Sequence, residues 1–238
     1  MMLCTGCRQH EIDVKQLENK LPAELYQIGN KYAKTKKASD AVLAFEEIEK
    51  SHPYSKYVAD SQVEAGICYY KMKKYDDAIT ILDGYIQTHP THNRVPEALY
   101  LLGCIYYDQM PIIERDQENT MRSLEYLSEL CTRYPSSKYV TDAKKKLDVL
   151  LQHLALHEFR MGMYSQKREN FPAAILRYNT IIESYPTTEP AQEAYLRLVE
   201  CYLSLGLKKE AIAVNSVLQK KHKCSKWAKY ASKKMPTK

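Results

Sequence analysis

Glycine and phenylalanine are scarce in this chain, with 7 glycines, 3 phenylalanines and a single tryptophan among 238 residues. Only 10 prolines accompany them, in a chain that is 45% hydrophobic and 27% charged. That balance excludes a disordered or low-complexity protein and points to packed helices. No apolar run approaches the roughly 18–20 residues that a membrane-spanning helix needs. Acidic residues are missing altogether after Glu210, while Lys220, Lys221, Lys223, Lys226, Lys229, Lys233, Lys234 and Lys238 follow. The remaining 27 basic and 29 acidic groups leave residues 1–210 near neutral. A nucleic-acid protein spreads basic residues over its folded face, so nucleic acid is not expected as a partner. The tail reads as a solvated helix end.

The motifs of catalysis are absent too. No GxGxxG, GxxxxGK[ST], GxSxG or HExxH occurs. His153 and His157 stand four apart beside Glu158, with no third ligand close in sequence to complete a metal site. They read as solvated residues on a long charged helix. Neither an enzyme nor a cofactor is expected. Seven cysteines, at 4, 7, 68, 104, 131, 201 and 224, are odd in number and scattered, unlike a disulfide framework. Cys68, Cys104 and Cys201 share neighbouring helix registers and read as small packing thiols.

What the chain does have is periodicity. Residues 59–90, ADSQVEAGICYYKMKKYDDAITILDGYIQTHP, read as two amphipathic helices. The turn is expected at Lys74-Tyr75-Asp76 and the end at His89-Pro90. Gly66, Tyr69, Ala78, Leu82, Tyr85 and Pro90 fall at positions 8, 11, 20, 24, 27 and 32, a spacing that resembles the tetratricopeptide repeat. The unit recurs. Gly29, Ala41 and Pro53 precede it by 37 residues, with Pro22 at a plausible helix start. Gly103 follows by the same step, and Gly162 and Ala174 open a fourth repeat. Ala211 lies 37 residues after Ala174 and marks a fifth, in which Lys223 replaces the closing proline. Glycine costs a helix interior about 1 kcal/mol relative to alanine, so its return at Gly29, Gly66, Gly103 and Gly162 implies close helix packing. Ala41, Ala78, Ala174 and Ala211 form the small partner register.

The expected fold is therefore all-α, an α-solenoid of about five tetratricopeptide-like helical hairpins. Residues 1–21 are read as an N-terminal box and tether, and 22–135 as repeats one to three. Within the latter, eight extra residues make a loop over 109–119, where Pro111 and mixed charges break the helix. A continuous helix of some 30 residues, from Lys138 to Arg168, opens the segment 136–223 that carries repeats four and five. Residues 224–238 are read as a basic cap around Trp227 and Tyr230.

Hairpin stacks present a concave surface built from their first helices. Positions 2, 5, 9 and 12 of those helices form it, and they include the candidate peptide groove residues Tyr26, Asn30, Val63, Ile67, Tyr70, Tyr100 and Tyr107. The chain has 20 tyrosines, and tyrosine joins apolar area to a hydroxyl that tolerates water. Tyr32, Tyr69 and Tyr106 fall instead on the packing register.

At the N-terminus, Thr5-Gly6-Cys7 resembles the cleavage box of bacterial lipoproteins, with Cys4 at the position where the box usually has leucine. Cys7 is the expected lipidation (palmitate) site. Cys4 and Cys7 also form a CxxC, without the βαβ pattern or second pair that would give it redox or metal meaning.

The repeats as a set resemble periplasmic tetratricopeptide proteins of Gram-negative bacteria, of which two branches fit. The cell-division coordinators (CpoB/YbgF-like) share the Tyr-Pro-x-Ser-x-Tyr junction and would make this a soluble adaptor. The outer-membrane assembly lipoproteins of the BamD (ComL/YfiO) family share more. The shared features are His89-Pro90-Thr91-His92 followed by Val95 and Tyr100–Gly103, then the insert ending Glu114-Arg115-Asp116-Gln117. Tyr134–Tyr139 then leads through Thr141-Asp142-Ala143 into the long helix. The resemblance covers about 22–220. It implies a non-catalytic, lipid-anchored scaffold at the periplasmic face of the outer membrane. Its C-terminal half would bind BamA-like periplasmic domains, with other Bam lipoproteins and unfolded outer-membrane proteins as further partners. The N-terminal repeats would receive a substrate's C-terminal strand.

Overall fold

The computed structural model describes residues 12, 14–223 and 225–235. These residues form helices and no strand. Five hairpins and a closing helix follow the expected register, the first three being α1 (Pro22–Lys34) with α2 (Ala38–Ser51), α3 (Val58–Lys71) with α4 (Tyr75–Thr88), and α5 (Val95–Asp108) with α6 (Glu118–Arg133). The long α7 (Val140–Lys167) pairs through its C-terminal part with α8 (Phe171–Ser184). A fifth hairpin, α9 (Glu189–Ser204) with α10 (Lys208–Lys221), is closed by α11 (Lys226–Lys234). The helix spanning Lys138–Arg168 in sequence terms is thus α7, shorter by a residue or two at each end. Two compact units contain these elements: Met1–Asp108 with Glu125–Ala143, and Gln109–Leu124 with Lys144–Lys238.

The recurrent glycines explain each hairpin. A methyl group at Gly29 would lie 2.5 Å from Phe45, one at Gly66 2.6 Å from Leu82, and one at Gly162 2.7 Å from Tyr178. At Gly103 it would collide with Leu127. Position 8 therefore faces the large side chain of position 24, which lies directly across the glycine. The alanines at position 20, Ala41, Ala78, Ala174 and Ala211, are all fully buried beside it. Ser123, also fully buried, fills that place in α6.

The turns inside the hairpins are tighter than the sequence implies. Tyr75 and Asp76 already belong to α4, because Lys73 takes a left-handed conformation (φ 58°) and the Lys74 amide returns to the Tyr69 carbonyl. Lys36, Glu169 and Gly206 do the same after α1, α7 and α9, a Schellman-type close that satisfies terminal carbonyls. Helix ends at His52, His89 and Tyr185 precede prolines, which disfavour helical geometry in the residue before them. His222 adopts the same backbone shape before Lys223, so proline is not required there.

Two expectations change. The tether read over residues 12–21 is packed where it is described. Ile12 and Leu17 are buried in the core of the first hairpins, and the His52 ring bonds the Lys20 carbonyl at 2.9 Å. Ile12 and Leu17 give apolar contacts to a segment whose composition reads as polar. The insert, read as 109–119, ends at Gln117, since Glu118 and Asn119 start α6. Cys7, the expected lipidation site, lies outside the described residues, as do Cys4 and Cys224.

Candidate peptide groove

In the first unit the inner face is carried by α1, α3, α5 and the start of α7. Tyr26, Asn30, Ile67, Tyr70, Tyr100 and Tyr107 are all half-buried there. Val63, expected among them, is fully buried and offers no surface to a ligand.

The hydroxyls are committed to carboxylates roughly one repeat away. Tyr70 donates to Asp108 at 2.8 Å, Tyr100 to Asp142 at 2.7 Å and Tyr139 to Glu97 at 2.8 Å. Burial, then the neighbouring carboxylate, raises the pKa of each: Tyr139 is pushed up to about 12, and Tyr70 and Tyr100 further. Burial also raises Tyr26, with Asp60 and Glu64 adding to it and an Asn30 hydrogen bond opposing. Asp60, Glu97 and Asp142 each stand three residues after the junction residue, Tyr57, Arg94 and Tyr139 in turn. Tyr26 and Tyr100, at position 5 of their repeats, thus look toward the acid just past the next junction.

The rings are stacked by the repeat junctions. Tyr57 lies 5.3 Å from Tyr26, and Tyr139 lies 4.8 Å from Tyr100. The register between these two junctions places Arg94 where the others have tyrosine, after Val63 where the others have Tyr26 and Tyr100. Arg94 reaches Glu64 and Glu97 at 2.8 Å each and Asp60 at 3.6 Å. Its burial alone would lower its pKa; Glu64 and Glu97 more than offset that and raise it. Asp60, Glu64 and Glu97 around one arginine make the face acidic between its aromatic rings. A cavity of about 1000 Å3 opens between α1 and α3, lined by Asn30, Ala33, Glu64 and Met72 together with four lysines, Lys34, Lys36, Lys71 and Lys73.

Sequence reasoning missed Arg94, Asp108 and Asp142; the acids lie 38 residues after Tyr70 and 42 after Tyr100, off the 37-residue period, so the repeat alone does not point to them. It also missed the knot in the insert. Gln117, buried, donates its side-chain amide to the carbonyls of Ile112 at 3.0 Å and Arg115 at 2.9 Å, and accepts from Thr120 at 2.8 Å. His157 bonds the Ile113 carbonyl at 2.5 Å, and the His153 ring bonds Pro111. The two histidines read as solvated therefore tie the insert to α7. Among the described residues no cluster of His, Cys, Asp or Glu could hold a metal ion, and no helix is long and apolar enough to cross a membrane. Cys68 and Cys201 are buried thiols whose pKa burial pushes up to about 11.

The second unit has its own apolar cavity, about 620 Å3, among Val149, Leu156, Phe159, Glu193 and Trp227.

Residues 18–217 match the family described as "YfiO: Outer membrane lipoprotein". The chain is 34% identical over 180 residues to "Outer membrane protein assembly factor BamD" of Caulobacter vibrioides, covering 76% of this chain and 59% of that protein. To the protein of the same name from Rickettsia prowazekii it is 39% identical over 119 residues, 50% of this chain and 47% of that one. The chain thus spans about half to three fifths of the length of these curated relatives. Among solved structures, "TPR2AB-domain:pHSP90-complex of yeast Sti1" aligns over 88% of this chain and 81% of that one at 16% identity and TM-score 0.47, too distant to carry an argument. With four hairpins, the insert, the long helix and most of the fifth hairpin inside the matched residues, the chain belongs to the YfiO outer membrane lipoprotein family.

Proposed function

We propose that this protein is a non-catalytic scaffold of the machinery that assembles β-barrel proteins into the outer membrane, anchored at the periplasmic face by lipid on Cys7. The family match and the relatives named as assembly factors support this reading over that of a soluble cell-division adaptor. The inner face of the first unit receives an unfolded barrel protein, and the second unit, with its cavity beside Phe159 and Trp227, takes BamA-like periplasmic domains and other lipoproteins of the complex. The row of half-buried tyrosines is the observation that carries the groove. Barrel strands alternate apolar and polar residues. An extended segment can set its apolar side chains against the rings of Tyr70, Tyr100 and Tyr107 while its polar backbone faces the acids between them.

The test is peptide binding by the full chain. Tyr70→Ala with Tyr107→Ala should weaken binding of peptides copied from barrel C-termini while leaving the melting curve near wild type. Unchanged binding overturns the groove. Mass spectrometry of the protein made from its full reading frame tests the anchor, and an unmodified N-terminus upstream of Cys7 overturns it.

A further inference from the structure

The closing helix α11 carries a charge pattern that the folded protein does not use. Its buried seam is Ala228 and Ala231, packed against α9 and α10. Lys226, Lys229 and Lys233 recur at spacings of three and four, which sets them on one face opposite that seam. Tyr230, 52% exposed, lies in the same stripe, and Trp227 flanks it with Lys226 over its ring at 4.5 Å. Lys220, Lys221 and Lys223 lead into the helix. Among the described residues none of Lys226, Lys229 and Lys233 forms an ion pair. Glu200 pairs with Lys234 of α11 and with Arg197.

This arrangement costs the fold something. Like charges three and four apart on a helix repel, and Lys226 stands at the N-terminal end, where the helix dipole disfavours a cation. Yet the helix is held in place. Ser225 caps it, and the Gln219 amide donates to the Ala228 carbonyl at 2.7 Å and the Ser232 hydroxyl at 2.8 Å. The lysines are therefore displayed on an ordered element rather than on a loose tail.

We propose that the outer face of α11 is a contact surface for an anionic lipid bilayer. The face is carried by one helix, and Trp227 is the residue of α11 that lines the cavity of about 620 Å3, beside the lysine stripe rather than within it. No arginine follows Arg197. Fixed recognition of carboxylate or phosphate groups favours the planar arginine fork, whereas lysine acts as a hydrated point charge without preferred geometry. A diffuse field of lipid headgroups matches the second kind of donor. Tyrosine and tryptophan are the side chains that settle at a membrane interface. An acidic protein partner is the competing occupant, but the cavity beside Trp227 is lined by Glu189 and Glu193, which would repel it. This inference does not depend on the assembly role.

The test uses the full chain with Cys7→Ser, so that no acyl chain is attached, and vesicles of phosphatidylcholine with or without phosphatidylglycerol. The chain should float with the anionic vesicles only, and added salt should release it. Trp227, the single tryptophan, should shift its emission to the blue on binding. Replacing Lys226, Lys229 and Lys233 by Gln should reduce partition by about fivefold per lysine, or roughly a hundredfold in all. Tyr230→Ala, which removes an exposed ring, should weaken binding with an unchanged melting curve and stands in should the triple variant unfold. No flotation with anionic vesicles, equal flotation with neutral ones, or wild-type binding by the folded variants overturns the proposal. Binding to polyglutamate without binding to vesicles also overturns it, in favour of an acidic protein.

Discussion

The rings of Tyr100 and Tyr139 stack at 4.8 Å with 18° between their planes, and each hydroxyl bonds an acid near the other tyrosine in the chain, Tyr100 to Asp142 and Tyr139 to Glu97. Tyr26 and Tyr57 repeat the pairing at 5.3 Å. Arg94, in the junction register between Tyr57 and Tyr139, substitutes a cation for the ring and binds three carboxylates. Hairpins in this unit are thus joined on their inner face by tyrosine–acid and arginine–acid contacts.

Arg94→Ala should destabilise the protein by about 2–3 kcal/mol, because it leaves Asp60, Glu64 and Glu97 crowded and unpaired. The pairs are partly exposed, so the loss should fall below that of a fully buried pair. Arg94→Lys should recover only part of it, since an ammonium cannot serve three acids with the same geometry. Denaturant midpoints of the two variants check this.

The glycines separate packing from propensity. Gly66→Ala places a methyl group 2.6 Å from Leu82 and should cost about 1–3 kcal/mol through overpacking, despite the better helix former. Gly84→Ala, with nothing within 4 Å, should instead stabilise by about 0.5–1 kcal/mol. Opposite signs in thermal melts are the expected result.

Gln117→Ala should free the insert without melting the hairpins. It removes the amide that holds the Ile112 and Arg115 carbonyls and the oxygen that Thr120 uses. Losing buried hydrogen bonds costs about 1–3 kcal/mol locally. Limited proteolysis should cut within 109–117 in the variant much faster than in wild type.

Stability should fall at both ends of the pH scale. The tyrosines Tyr70, Tyr85, Tyr100, Tyr139 and Tyr178 have folded pKa values above 10.0, chiefly through burial. Their contribution is complete below about pH 10 and is lost as pH rises through the folded values, from about 12 for Tyr85 and Tyr139. Phenolate absorbance should therefore develop together with unfolding. His153 is shifted the other way, its pKa lowered below 6.5 by burial, with His157 adding to that and the Pro111 and Glu114 contacts opposing. Its contribution is present above pH 6.5 and lost as pH falls through the folded value. Hydrogen exchange in the insert should accelerate in that acid range, and His153→Gln should blunt the change.

The sequence by itself determined the hairpins. A glycine at position 8, an alanine at position 20 and a large residue at position 24 have one compact solution, two helices closed over the glycine, and Gly29, Gly66, Gly103 and Gly162 all reach it. Even the eight-residue insert left Gly103 against Leu127. In the fifth hairpin Val199 and Asn215 hold those registers without glycine. Periodicity also marked which side chains face the interior of a hairpin. It could not say what lies across the next hairpin, because that depends on the offset with which neighbouring repeats stack. Val63 and Tyr100 share a register, yet the first is buried and the second half-exposed. The partners of the tyrosines, the packing of Ile12 and Leu17, and the hold of His153 and His157 on the insert were decided by tertiary structure alone. Each is a contact between residues far apart in the chain, and the spacing of residues along one helix carries no record of it.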